Sequence, residues 1–256
     1  MVSAVSKLTA ILTHTRNPIP LLLDYAGVQR SPYRVSSRSV VLELRPGMGD
    51  RYGFYEVAIR DDYFSAGQTI SPGDTVIDIG ANVGCFALIA ARRVGPTGRV
   101  IAVEPDERTF RQLERNIELN DATNVTARCV AIGGYRGSIP FFIRSDSALF
   151  NSIYSHPQHV AASRTVPMIT LADLMSEEAI DACRYLKLDC EGAEYDIVES
   201  LTSEVSGRIA QITLELHRIQ GKDPGVLRKK LQDLGFARAS ESGLLYYRRD
   251  PQGAAA

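Results

Sequence analysis

Short runs of apolar, mostly β-branched residues alternate with helical patterns along the chain from Thr75 onward. This alternation is typical of repeated βαβ units, which build a mostly parallel sheet. Five runs are apolar enough to be covered on both faces, as a central parallel strand is. The five predicted strands are Thr75–Ile79, Arg99–Val103, residues 125–131, Tyr185–Leu188 and residues 209–216. A later run over residues 244–247 is predicted to add an edge strand.

Helices are predicted between these strands by the spacing of apolar residues. Phe110, Leu113 and Ile117 form one apolar stripe among charged residues, the pattern of a helix with a single buried face. A capping box that begins at Thr170 marks another helix start. Further helices are predicted over residues 192–201 and 224–234. The predicted fold class is α/β, a doubly wound Rossmann-like domain over residues 48–250.

Residues 1–47 lack this alternation and are predicted to form an N-terminal extension. The extension has a helical pattern near residues 8–12, an apolar patch at 19–23 and a strand-like run at 39–44. We expect it to pack against the main domain. A role as a lid or as a homodimer contact stays open, because segments beside a rigid scaffold often shape substrate sites. Residues 251–256 are expected to be a disordered tail.

Charge and cysteine content argue against several classes of function. The chain has 29 Lys and Arg residues against 30 Asp and Glu residues, a net charge of −1. Neither sign forms a long run, so we expect no nucleic-acid or membrane partner. The four cysteines form no C-x-x-C pair, which argues against a zinc site or a redox couple. The longest apolar stretch is far shorter than the roughly 20 residues of a membrane span, and we expect a reduced, cytoplasmic protein.

A glycine-rich turn follows the first strand of the predicted domain. Residues 80–84 (GANVG) lie at the carboxyl end of that strand, where open α/β sheets bind ligands and glycines let a ligand approach the backbone. The next strand ends at Glu104, whose carboxylate can accept both hydrogens of a ribose cis-diol. Asn82 stands where a dinucleotide loop has its close-approach glycine. The loop is therefore poorly suited to bind a pyrophosphate.

Four segments together resemble the FkbM family of S-adenosylmethionine-dependent methyltransferases. They are residues 76–84 (VIDIGANVG), 103–106 (VEPD), 188–194 (LDCEGAE) and 214–217 (LELH). The first segment is shared with other class I methyltransferases, whereas the third is more specific to the family. The resemblance implies a seven-stranded sheet with the last strand antiparallel, and the cofactor across the first two strand ends. It further implies methyl transfer, mostly to an oxygen of sugars, polyketides or similar metabolites.

The resemblance also implies which residues contact S-adenosylmethionine. They are Asp78, Gly80, Asn82 and Gly84 at the methionine half, Glu104 at the ribose, Pro105, Asp106, Ala131 and Ile132 at the adenine, and Asp189 beside the sulfonium. Ala131 and Ile132 are assigned to the adenine as the end of the third strand.

Ionisable residues that follow the fourth and fifth strands are candidates for catalysis. The protein must align donor and acceptor and remove the acceptor proton. His217 is the first candidate for the general base, because its ordinary pKa lies near neutrality. Asp189 is the second, and Glu191 completes the set. Glu191 and Glu194 also precede or begin a helix, where the helix dipole favours carboxylates whatever the function.

A divalent metal is an open alternative at the same place. Asp189, Glu215 and His217 could ligate Mg²⁺, which would bind and acidify an acceptor hydroxyl. Two other functions stay open as well. A nicotinamide-dependent oxidoreductase shares the sheet and the ribose acid but would have glycine at position 82. A catalytically silent nucleoside-binding module is the other, because a fold does not determine function. For the methyltransferase, the expected partner is a small hydroxylated acceptor.

Overall fold

The computed structural model describes residues 4–37, 39–144, 151–154 and 160–249. The helices of these residues are α1 (Ala4–His14), α2 (Pro18–Tyr25), α3 (Asp50–Gly53), a π-helix (Phe54–Ile59), a 3₁₀-helix (Asp62–Phe64), α4 (Cys85–Val94), α5 (Glu107–Leu119), α6 (Leu171–Glu177), α7 (Glu194–Ser200), α8 (Ser203–Gly207) and α9 (Pro224–Asp233). The strands are β1 (Tyr33–Ser36), β2 (Val41–Leu44), β3 (Thr75–Ile79), β4 (Arg99–Val103), β5 (Val125–Arg128), β6 (Ala131–Ile132), β7 (Gly137–Arg144), β8 (Val160–Ile169), β9 (Tyr185–Leu188), β10 (Gln211–Glu215), β11 (Phe236–Ser242) and β12 (Leu244–Arg249). The predicted tail, residues 251–256, lies outside the described residues.

The centre of the fold is a seven-stranded sheet in the order β11-β12-β10-β9-β3-β4-β5. Strands β5, β4, β3, β9 and β10 pair in parallel. Strand β12 runs antiparallel to both β10 and β11. The sheet confirms the predicted α/β class and the reversed last strand. Strands β3, β4 and β9 have the predicted bounds because each is a closed apolar run between turns.

Two strand predictions were wrong. Strand β12 is an inner strand, because it pairs with β10 on one side and β11 on the other. The edge is taken by β11, whose polar and charged sequence (FARASES) suits an exposed position. The third strand ends at Arg128, so Ala131 and Ile132 do not belong to it. They form β6 in a separate three-stranded sheet, and Ala131 packs there with Phe141, Val166 and Met168.

Alternate residues of each central strand pack on opposite faces of the sheet, as the pleat of a strand requires. Val76 and Val100 belong to a core on one face with α4 and α5, whereas Ile77 and Ile101 belong to a second core with α6, α7 and α9. The sheet is therefore covered on both faces, as the doubly wound prediction requires.

The N-terminal segment packs into the first of these cores. Ile11 and Leu21 from its two helices, and Leu42 from β2, are buried there. Asn116 on α5 connects the segment to the glycine-rich turn, since its side-chain oxygen accepts a hydrogen bond from the Glu43 N–H at 2.8 Å and its amide donates to the Val83 carbonyl at 2.9 Å. Among the described residues, no helix has the length and hydropathy that crossing a membrane requires.

Candidate active site

A cavity of about 480 Å³ lies at the carboxyl edge of the seven-stranded sheet, within the size range of small-molecule sites. Ile79 pairs with Val103 on one side and with Leu188 on the other. The segments that follow β3, β4 and β9 therefore meet in one place. Of the predicted site residues, those that line the cavity are Gly80, Asn82, Glu104, Pro105, Asp189, Glu191 and Glu215.

The glycines of the turn are required by the protein itself. Gly80 has a φ of +78°, and a Cβ atom there would lie 1.7 Å from the carbonyl oxygen of Asp189. Gly84 has a φ of +89°, and its Cβ would lie 2.6 Å from Leu113 Cδ1 on α5. We expected these glycines to make room for a ligand, but they also make room for the protein itself. The missing side chain of Gly80 allows the end of β9 to pack against the turn, and that of Gly84 allows α5 to do so.

Glu104 and Asn82 form the rim of the cavity beside β4. The Glu104 carboxylate accepts hydrogen bonds from two backbone N–H groups, that of Asn82 at 3.0 Å and that of Asp106 at 2.9 Å, one on each oxygen. Burial raises the pKa of Glu104 to about 7 against these stabilising contacts. Asn82 has a positive φ of 49°, and its side-chain oxygen is buried without a partner among the described residues. Both side chains are thus held in place with hydrogen-bonding capacity to spare.

A buried ion pair lies directly beneath the glycine-rich turn. Lys187 on β9 places its ammonium 2.9 Å from Asp78 Oδ1, and donates to the Gly80 carbonyl oxygen at 3.0 Å. Burial raises the pKa of Asp78, although the charge of Lys187 opposes the shift. Asp78 is not among the described residues that line the cavity. It acts on the turn through Lys187, which does line the cavity and which our sequence reasoning missed.

The Asp189 carboxylate is held by Tyr63 and Lys187. The Tyr63 hydroxyl donates to Asp189 Oδ2 at 2.8 Å, and the Lys187 ammonium lies 3.5 Å from the same oxygen. Burial, followed by the Asp189 charge, raises the pKa of Tyr63 well above its ordinary value, so the phenol stays protonated and donates. Tyr63 and the cavity-lining residues Tyr52 and Glu56 come from residues 50–64, to which sequence reasoning assigned no role.

His217 lies between two carboxylates. Its Nδ1 is 3.0 Å from Glu194 Oε1 and its Nε2 is 3.4 Å from Glu191 Oε2. Burial opposes the charge on the ring, but the hydrogen bonds with Glu191 and Glu194 outweigh it and raise the pKa of His217 to about 11. At neutral pH the ring is therefore an imidazolium with both nitrogens engaged. This arrangement argues against the predicted role of His217 as the general base.

The conditional metal ligands do lie close together. Asp189, Glu215 and His217 each offer one ligand atom, and these three atoms lie within 4.8 Å of one another. A histidine must be neutral to bind a metal ion, however, and both nitrogens of His217 already face carboxylates. Burial and the Asp189 charge raise the pKa of Glu215 to about 7. The donor set therefore fits a divalent metal poorly, and Mg²⁺ has no support here.

Three residues assigned to the adenine have other surroundings. Asp106 is the N-cap of α5 and accepts hydrogen bonds from the N–H and hydroxyl of Thr109. Ala131 and Ile132 line a small cavity of about 20 Å³ next to the main one. Their prediction assumed a longer third strand. Of the assigned adenine contacts, only Pro105 is among the described residues that line the main cavity.

Comparison with known proteins finds a family model and several relatives that match this chain. The family model described as "Methyltransferase FkbM domain" matches residues 78–237, which is more than half of the chain. "Methyltransferase 1" of Beauveria bassiana is 27% identical over 189 residues, covering 66% of this chain and 75% of its own length. "31-O-demethyl-FK506 methyltransferase FkbM" of Streptomyces tacrolimicus is 25% identical over 214 residues, covering 72% of this chain and 80% of its own length.

A solved structure of an FkbM methyltransferase from Methylobacillus flagellatus aligns with 72% of this chain and 46% of its own chain, with 17% identity and a TM-score of 0.49. The family model spans the glycine-rich turn, Glu104, Asp189 and His217 in one continuous match. The chain therefore belongs to the FkbM family of S-adenosylmethionine-dependent methyltransferases.

Proposed function

We propose that this protein transfers a methyl group from S-adenosylmethionine to a hydroxyl oxygen of a small metabolite such as a sugar or a polyketide. The observation that carries the proposal is the Glu104 carboxylate at the end of β4. Each of its oxygens accepts one backbone N–H and keeps a lone pair for one hydroxyl of a ribose cis-diol. The cofactor supplies the electrophilic methyl group when it is bound.

The residues at the rim fit the adenosyl part of that cofactor. Glu104 would accept hydrogen bonds from the ribose, and Pro105 would lie against the adenine. Asn82 has an unpartnered buried oxygen beside Glu104, which suits a donor group of the ligand because an unpaired buried polar atom costs about 1–3 kcal/mol. Gly80 and the Lys187–Asp78 pair would hold the turn in shape beneath the methionine part.

Asp189 is the group that we assign to proton removal. Within the described residues, its contacts with Tyr63 and Lys187 both fall on Oδ2. Oδ1 therefore keeps its lone pairs for an acceptor hydroxyl. An alcohol proton passes to this carboxylate as the oxygen attacks the methyl carbon, and the carboxylate then returns the proton to solvent. His217 is a positioning residue, because it holds the carboxylates of Glu191 and Glu194 in place.

The name of the Streptomyces tacrolimicus relative supports transfer to oxygen, because it describes that protein as acting on a 31-O-demethyl compound. A nicotinamide-dependent reaction is disfavoured by the same turn that supports the proposal. The turn has Asn82 at a position that a dinucleotide loop fills with glycine. The Asn82 N–H is already committed to Glu104, so it cannot bind a pyrophosphate as well.

The test is a screen with trideuteromethyl S-adenosylmethionine and a panel of hydroxylated metabolites, read by mass spectrometry. The expected result is an acceptor that gains one labelled methyl group, with O-linkage established by fragmentation. With that acceptor, Asp189→Asn should lower kcat by about 100-fold or more, the usual contribution of a general base, while S-adenosylhomocysteine affinity stays within about twofold. Transfer only to nitrogen or carbon would contradict the proposal, as would an Asp189→Asn enzyme with full kcat.

A further inference from the structure

The cavity is lined by more acidic than basic side chains, because Lys187 is the one Lys or Arg among the described lining residues. Glu56, Asp189 and Glu215 line it from three separate parts of the chain. Within the described residues, the carboxylates of Glu56 and Glu215 have no hydrogen bond or ion pair. The cations nearby already have partners, because Lys187 is paired with Asp78 and His217 with Glu191 and Glu194.

Glu56 is presented to the cavity by an unusual piece of backbone. It lies on the six-residue π-helix, a form that is rare in proteins and is frequently found at functional sites. Its neighbours Phe54, Tyr55 and Val57 are buried and anchor the helix in the core. Glu56 itself is exposed at the cavity mouth. The π-helix therefore places the Glu56 carboxylate at the cavity, where a different helical geometry would change its direction.

The surroundings of Glu56 disfavour its negative charge. Loss of surrounding water and the charges of Asp189 and Asp62 raise its pKa, and these effects outweigh the opposing charges of Arg60 and Lys7. Carboxylates grouped in this way are stabilised by a cation between them. The sulfonium of S-adenosylmethionine brings one positive charge to a cavity whose lining includes the carboxyl groups of Glu56, Asp189 and Glu215.

We infer that the acceptor of this enzyme carries a protonated amine close to the hydroxyl that is methylated, as an amino sugar or an amino alcohol does. Glu56 and Glu215 determine this specificity, and the inference rests on the proposed methyltransferase function. Acceptors with a carboxylate or a phosphate near the reacting hydroxyl are excluded, because like charges repel in a partly desolvated site.

A metal ion is the competing occupant of the same charges. It is disfavoured by the donor set, because both ring nitrogens of His217 already face the carboxylates of Glu191 and Glu194. An ammonium group needs only acceptors, and carboxylate oxygens supply them.

Two nucleoside probes test the inference without knowledge of the acceptor. Sinefungin carries a protonated amine where S-adenosylmethionine carries its transferable methyl group, and S-adenosylhomocysteine carries neither. Calorimetry at pH 7.5 with EDTA gives the ratio of their dissociation constants. We expect wild-type protein to bind sinefungin about tenfold more tightly than S-adenosylhomocysteine, as an ammonium among carboxylates should.

The variants assign that preference to residues. Glu56→Gln and Glu215→Gln should each reduce the ratio by about threefold or more, with S-adenosylhomocysteine affinity within about twofold of wild type. Glu114→Gln, an exposed site on α5, should leave both affinities unchanged. Unchanged S-adenosylhomocysteine affinity also shows that the variants are folded.

Three results would overturn the inference. The first is a ratio near one, or one that neither cavity variant changes, with normal S-adenosylhomocysteine binding; the acceptor assignment then fails while the proposed function stands. The second is loss of the preference on addition of MgCl₂ in place of EDTA, which would assign the carboxylates to a metal. The third is no binding of S-adenosylhomocysteine, which removes the proposed function as well.

Discussion

The carbonyl oxygen of Asp189 lies 1.7 Å from the position that a Cβ atom on Gly80 would occupy. The end of β9 is therefore packed against the glycine-rich turn backbone to backbone. The glycine-rich turn and the segment that holds the Asp189 carboxylate are therefore in direct backbone contact.

Gly80→Ala should lower both the free energy of unfolding and the affinity for S-adenosylhomocysteine. The new methyl group would collide with the backbone of Asp189, and the alanine would have to adopt a positive φ. Gly73→Ala is the matched control, because Gly73 has a φ of +92° and its nearest neighbour is 3.8 Å from the new Cβ. Gly73→Ala should cost about 1–2 kcal/mol from backbone strain alone, and Gly80→Ala about 2 kcal/mol more from overpacking. Equal losses in urea denaturation would contradict the account.

The affinity for S-adenosylhomocysteine should fall as the pH is lowered through 7. Burial raises the pKa of Glu104 to about 7, and only the ionised carboxylate accepts hydrogen bonds from both ribose hydroxyls. Below pH 7 binding must therefore release a proton, and the dissociation constant rises by up to about tenfold per pH unit. Calorimetry between pH 5.5 and 8 measures this slope. Glu104→Gln should show weak binding with no slope from this group, and a flat wild-type profile would rule out Glu104 as the ribose acceptor.

His217 should stabilise the fold most at low pH. Its pKa rises from 6.5 to about 11 in the folded protein. Its contribution is therefore fully present below pH 6.5 and is lost as the pH rises toward 11. His217→Gln leaves Glu191 and Glu194 without their cation, and we expect it to cost about 3 kcal/mol at pH 6.5. The cost should be markedly smaller at pH 10.

The control for His217→Gln is Lys229→Gln, which removes an exposed pair with Asp233 on α9. It should cost no more than about 0.5 kcal/mol at both pH 6.5 and pH 10. Chemical denaturation at each pH gives both values. A His217→Gln cost that does not vary with pH would mean that the ring is neutral in the folded protein.

Much of the sheet was predictable because its signals are local. The apolar runs of β3, β4 and β9 and the capping box at Thr170 are complete within a few residues. The order of the last two strands was not predictable in this way. Whether β11 or β12 lies at the edge depends on pairing with β10, and the short run 244–247 does not reveal its neighbours.

The site residues that could be predicted from the sequence are those that directly follow predicted strands. Glu104 and Asp189 follow strands and line the cavity as expected. Tyr63 and Glu56 precede the sheet in sequence, and Tyr63 reaches Asp189 across 126 residues, so no spacing rule brings them together. Lys187 could have been found, because a lysine inside the otherwise apolar buried strand YLKL requires a buried partner. His217 was misjudged because its ordinary pKa was assumed, whereas two carboxylates surround it.

The central claim is that the cavity binds the adenosyl group through the carboxylate of Glu104. The most direct measurement is calorimetric titration of S-adenosylhomocysteine into wild type, Glu104→Gln and Glu107→Gln at pH 8. Glu107 is a nearby exposed acid, the first residue of α5, and is paired with Arg111. The account predicts one site per chain, affinity weakened by about tenfold or more in Glu104→Gln, and wild-type affinity in Glu107→Gln. Equal affinities in all three proteins, or no binding to wild type, would contradict it.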